Sequence, residues 1–224
     1  MVRKSITQEY FVLALNEKGN MPALRTNESK AGLAIAGLMD LLLNDIIAVE
    51  KKKITVIKDL SDELEHIAPL YTYLKEKPRS IEKLANDYVL STGSRIKQFT
   101  AEQGKSLLAD NIVTEGEGGL FGNKTKYIPE KGYKDELIDI IKSALKKDEE
   151  MTPHDMAIIF ILEETKNSSQ YFSKYERDGL KTKLKEIKKN PQNKLIADVV
   201  NYISDIAACM VVVMTSINSS INSI

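Results

Sequence analysis

The stretch Ala31–Leu43 constrains the fold more than any other part of the chain, because it is apolar throughout except for Asp40. A helix that is apolar on every side cannot face water and belongs at the centre of a bundle. Gly32, Ala34, Ala36 and Gly37 are small, so neighbouring helices can approach it closely. Asn44-Asp45 follows, and both residue types tolerate the left-handed conformation that stops a helix.

The other elements arrange themselves around that segment. Ser5–Leu15 reads as a short capped helix ending in the turn cluster Asn16–Asn20. Ile46–Glu50 and Lys53–Ile57, on either side of Lys51-Lys52, predict a β-hairpin. Asp59–Lys77 has a helical pattern closed by Pro78, Ser80 can cap a helix from Ile81 to about Leu90, and another runs from about Arg95 to Ala109. Thr114 opens a second hairpin with a turn at Gly116–Gly119 and a return strand Lys124–Ile128. Lys134–Lys147, Pro153–Glu164, Lys174–Lys189 and Leu195–Met214 are helical, the last with a buried stripe through Ile196, Val199, Ile203, Ile206 and Met210. Leu41–Ile47 and Ser106–Val113 echo each other as helix end, polar stop and hairpin entry, either by duplication or as one local solution used twice. No linker divides the chain. The expected fold is a single domain over residues 1–224, mainly α: a helical bundle core wrapped by amphipathic helices, with two β-hairpins.

The inventory of reactive groups excludes most chemistry. Among 224 residues the one cysteine, Cys209, can form neither an internal disulfide nor a multi-thiolate zinc site. His66 and His154 are the only two histidines, and neither has a second histidine at ligand spacing, so no metal or cofactor is expected. Gly104-Lys105-Ser106 ends like a phosphate loop, but Phe99 stands where that loop needs its first glycine. The 32 Lys and Arg balance the 32 Asp and Glu, which argues against a nucleic-acid partner. The helix–hairpin units leave a winged-helix DNA binder as a minority reading, weakened by the presence of only five arginines.

Met1-Val2-Arg3-Lys4 leads into polar residues instead of an apolar run, so no signal peptide is expected. The nine apolar residues Ile206–Met214 fall short of the roughly 20 needed to span a bilayer. A cytoplasmic protein follows, with a peripheral membrane role open. Leu120-Phe121 sits at the tip of the second hairpin, where it either folds back onto the core or is covered by a partner subunit or a lipid surface.

Glu9–Gly19, Gly32–Glu50 with its hairpin, Lys77-Pro78-Arg79-Ser80, Ser106–Val113 with the hairpin leading to Lys126-Tyr127, and Asp205–Val213, taken in that order, resemble the Golgi phosphoprotein 3 family almost end to end. The resemblance implies a bundle wrapped by amphipathic helices, one projecting hairpin at roughly Thr114–Ile128, and no enzyme activity. Eukaryotic members bind phosphatidylinositol 4-phosphate on Golgi membranes, link cargo enzymes to coat and self-associate through the hairpin.

The family's headgroup pocket uses a tryptophan at the position of Arg25 and arginines at those of Ala34, Lys97 and Thr100. The resemblance therefore implies an anionic headgroup held by Arg25, Arg95 and Lys97, with Lys30 nearby and Leu120 and Phe121 making the self-association or membrane contact. Lys, Asn and Ile usage fits a bacterial-type member, in which a peripheral protein at the cytoplasmic membrane face would meet generic anionic lipid. Its expected partners are that headgroup, a second copy of the chain and a protein cargo. Ala34 and Thr100 favour the alternative, a soluble protein–protein interaction module without lipid ligand.

Overall fold

The structure, a computed structural model, describes residues 2–90, 94–118, 124–146, 151–189, 201–206 and 208. Three helices form the centre: α1 (Ile6–Ala14), α2 (Thr26–Leu43) and α7 (Pro153–Glu164). Every residue of α1 is buried, as are Met156–Leu162 of α7, and the three helices pack on one another. α2 begins five residues before the apolar run, because its first turn can hold polar residues while Ala31–Leu41 supplies the buried body.

The remaining helices are one-sided. α5 (Ser94–Ala109) buries Ile96, Phe99, Gln103, Gly104 and Leu107, the three- and four-residue spacing of a single stripe. α6 (Lys131–Lys146) and α8 (Lys174–Lys189) bury Leu137 and Ile141, and Leu180 and Leu184, in the same way. The mainly α fold with hairpins is thus as expected. Of the expected final helix, residues 201–206 are helical and contribute buried Ile203 and Ile206, while its ends lie outside the described residues.

Three expectations change. The helix predicted over Asp59–Lys77 is a 3-10 turn (Asp62–Ile67) followed by α3 (Ala68–Lys75). Pro69 is the reason: without an N–H it is tolerated only in a first helical turn, so the α-helix starts around it. The helix expected to reach Leu90 is α4 (Ile81–Ala85), capped by Ser80 as predicted, and continues as a π-turn over Asn86–Leu90. Of the glycines assigned to the second turn, Gly116 and Gly118 lie instead within a strand, and Gly119 lies outside the described residues. β4 (Val113–Gly118) pairs with β5 (Lys124–Pro129) from Val113↔Pro129 to Gly118↔Lys124, so the ladder carries Gly116 and Gly118 past the point where their turn propensity would bend them. The first hairpin, β1 (Ile47–Glu50) and β2 (Lys53–Val56), gains a two-residue third strand, β3 (Arg79–Ser80), on the far side of β2.

The two halves of the sequence echo end in the same local geometry. Asp45 (φ 56°) and Asn111 (φ 57°) both take the left-handed conformation. Behind them the Ile46 N–H donates to Leu41 O and the Ile112 N–H to Leu107 O, each at 2.9 Å, closing the same helix-end motif. Each motif turns the chain straight from a helix into a hairpin.

Tyr127 of β5 fastens the second hairpin to α5. Its ring lies over Gly104, where an added Cβ would stand 2.1 Å from the nearest ring carbon, and Phe11 meets it edge-on at 6.4 Å. Gly104→Ala is therefore expected to destabilise the fold by about 2 kcal/mol through overpacking, against the gain of about 1 kcal/mol that alanine normally brings to a helix. Urea denaturation measures the sign, and a stabilised variant would show that the ring steps aside freely.

Candidate functional site

Tyr73 of α3 organises the cationic end of α5. Its side chain is buried and stacks edge-on with Tyr88 at 5.4 Å, which in turn meets Phe99 at 6.1 Å. Two guanidinium groups lie on its ring: Arg79 at 3.9 Å and Arg95 at 4.7 Å. Such contacts orient a planar cation as well as attracting it. The Tyr73 hydroxyl donates to Asp87 Oδ2 at 2.7 Å, and Lys83 donates to Oδ1 at 2.6 Å. Burial pushes the tyrosine hydroxyl up, and the bond to Asp87 adds to that, so it stays protonated.

The two arginines differ in what remains open. Arg79 is 7% exposed, and its guanidinium donates to the Tyr73 carbonyl and to Glu76. Arg95 is exposed and lines a cleft of about 650 Å³ between α3 and α5, together with Glu65, Glu76, Gln98, Glu102 and Lys105. Lys105 is paired with Glu102 at 2.8 Å. His66, also on the cleft wall, places Nε2 2.8 Å from Ser5 Oγ, and burial pushes its pKa down to about 4. A neutral imidazole held in that way serves the packing of the N-terminal segment. Among the described residues no group of three His, Cys, Asp or Glu side chains could hold a metal ion.

The three cations expected to hold a headgroup have separate settings. Arg25 ends a 3-10 turn (Ala23–Arg25) just before α2, and its Nη1 donates to the Lys166 carbonyl and, at 2.6 Å, to Ser169 Oγ. Arg95 rests on Tyr73. Lys97 is exposed, two residues along α5. Arg95 and Lys97 share one end of α5, whereas Arg25 is tied to the turn after α7. Among the described residues none of the three forms an ion pair with a carboxylate. Ala34 is fully buried, and Thr100 donates its hydroxyl to the Ile96 carbonyl at 2.6 Å. Leu120 and Phe121 lie outside the described residues.

Tyr73 carries no signal in the sequence, and Arg79 figures there only within the family-like segment Lys77-Pro78-Arg79-Ser80. Their meeting depends on the chain reversing between α3 and β3. The second unannounced cluster ties the N-terminal segment to the core. Glu9 is fully buried and accepts from Arg3 Nε (2.7 Å), Arg3 Nη2 (2.8 Å), the Lys4 amide (2.9 Å) and His154 Nε2 (2.8 Å). Arg3 Nη1 also pairs with Asp155 at 2.9 Å.

Among the described residues no helix is long and apolar enough to cross a membrane. The family model described as Golgi phosphoprotein 3 matches residues 6–203. Comparison with curated proteins gives no match.

Proposed function

This chain belongs to the Golgi phosphoprotein 3 family, and from that premise we propose that it is a non-enzymatic peripheral membrane adaptor that binds anionic lipid headgroups and self-associates through the β4–β5 hairpin. Arg95 and Lys97 make the principal headgroup contacts, with Arg25 as the third cation and Leu120-Phe121 at the contact between copies or with the bilayer. The observation that supports this reading best is Arg95 laid on the buried Tyr73 ring, with Lys97 exposed two positions along the same end of α5. The cost of orienting the guanidinium is thus met before any ligand arrives, and a guanidinium grips phosphate through two parallel donors. Lys97 adds a point charge. Attraction of this kind is worth about 1 kcal/mol per cation near an anionic surface, so attachment is weak and falls with added salt.

Flotation with neutral, generic anionic and phosphatidylinositol 4-phosphate vesicles, at low and physiological salt, tests the reading. Binding to the anionic vesicles is expected, with an about fivefold or greater loss in Lys97→Glu. Unchanged binding in that variant would remove Lys97 from the site. Absence of binding to every vesicle would overturn the lipid reading and favour a soluble protein partner, the alternative that the buried Ala34 supports.

A further inference from the structure

Strand β3 is too short for the sheet it joins. It pairs with β2 only at Lys53↔Ser80 and Ile54↔Arg79, whereas β1 accompanies β2 as far as Ile47↔Val56. The register with β2 begins at Arg79, and Lys77 and Pro78 before it stand outside the ladder. Among the described residues the lane beside Thr55–Ile57 is without a paired strand.

The backbone polarity of that lane follows from alternation along β2. Ile57 donates its N–H to Ile46 O on the β1 side, and Lys52 accepts the Ile81 N–H on the β3 side. Peptide groups of an antiparallel strand bond to alternate sides, so residues 52, 54 and 56 face β3. The Val56 N–H and C=O are thus aimed into the open lane, and among the described residues they take no backbone partner there.

A groove of about 280 Å³ occupies the same place. Tyr71 and Leu74 of α3 form its buried floor, and Ile57 at its lip is 61% exposed. Lys58, Lys75 and Lys77 line it against one acid, Asp59. Asp59 Oδ1 accepts from both Lys75 (2.9 Å) and Tyr71 (3.1 Å), which leaves Lys58 and Lys77 without a carboxylate partner among the described residues. An open strand edge, an apolar floor and two spare cations coincide.

We propose that this groove docks an extended acidic segment of a partner protein, pairing its backbone with Val56, seating one apolar side chain on Tyr71 and Leu74, and placing carboxylates at Lys58 and Lys77. Added strands take affinity from main-chain hydrogen bonds and specificity from alternate side chains, which is the division of labour found here.

The test is a titration of the full-length chain, followed by amide NMR shifts, with the blocked pentapeptide acetyl-EVEVE-amide. Saturable shifts centred on Val56 and Ile57 are expected. They should weaken about tenfold in the double variant Lys58→Glu/Lys77→Glu and vanish when the peptide is N-methylated along its pairing edge. Equal shifts from acetyl-KVKVK-amide, persistence after N-methylation, or no shift at Val56 up to millimolar peptide would each overturn the proposal. So would anionic vesicles perturbing these amides where the peptide does not, since the groove would then be a lipid contact.

Discussion

Glu9→Ala is expected to lower the stability of the protein by about 3 kcal/mol, since breaking a buried, hydrogen-bonded charge cluster ranks among the most damaging single changes. Glu9 accepts from four donors and sits where α1, α7 and the N-terminal segment meet, so its loss frees the Arg3 tether and removes the acceptor for His154. Burial by itself would raise the Glu9 carboxyl, but the hydrogen bonds from His154 and Arg3 outweigh it and hold the group below its ordinary 4.5. A carboxylate with a depressed folded value contributes stability that is fully present above its unfolded value and is lost as pH falls through the folded one. The wild-type urea midpoint should thus decline on acidification below about pH 4.5, with a shallower decline in Glu9→Ala. Parallel pH profiles for the two proteins would exclude Glu9 as the source.

Gly32→Ala carries the second large effect. In a helix interior this exchange ordinarily stabilises by about 1 kcal/mol. Here an added Cβ would stand 2.1 Å from the Tyr10 hydroxyl and 2.7 Å from the Thr165 methyl, and Tyr10 is fully buried with nowhere to retreat. The hydroxyl also belongs to a closed network. It donates to Ser29 O at 3.2 Å, while Asn167 Nδ2 reaches Tyr10, Ser29 and Thr165 at 3.0–3.1 Å. Displacing the ring strands these buried groups, and the expected net loss is about 3 kcal/mol. An unchanged denaturation midpoint would mean that the tyrosine has room that this packing denies it.

Much of the architecture was legible because it rests on local physics. The all-apolar run at Ala31–Leu43, the Ser80 cap, the stops at Asp45 and Asn111 and the helix over Arg95–Ala109 each follow from the residues within a few positions of one another. The misreadings have equally local causes. Pro69 splits what the apolar pattern alone presents as one helix, and the turn propensity of Gly116 and Gly118 yields to a ladder that fixes them as strand. The candidate site was legible only in part. Arg95 and Lys97 stand two positions apart, so their sharing of one helix end is readable though their side chains do not face each other, and the family resemblance supplies Arg25.

The sequence by itself determined most of the helices and both hairpins, that the Ala31–Leu43 run lies at the centre, and that there are one cysteine and two histidines to work with. Periodicity, capping and composition are properties of neighbouring residues, and they survive without knowledge of what packs where. The tertiary structure alone decided that Arg79 and Arg95, sixteen positions apart, share the Tyr73 ring. It likewise brought Glu9 to His154 and left the lane beside Val56 open. Contacts of that kind depend on how the helices close around one another and where the sheet runs out, and no local pattern in the chain encodes them.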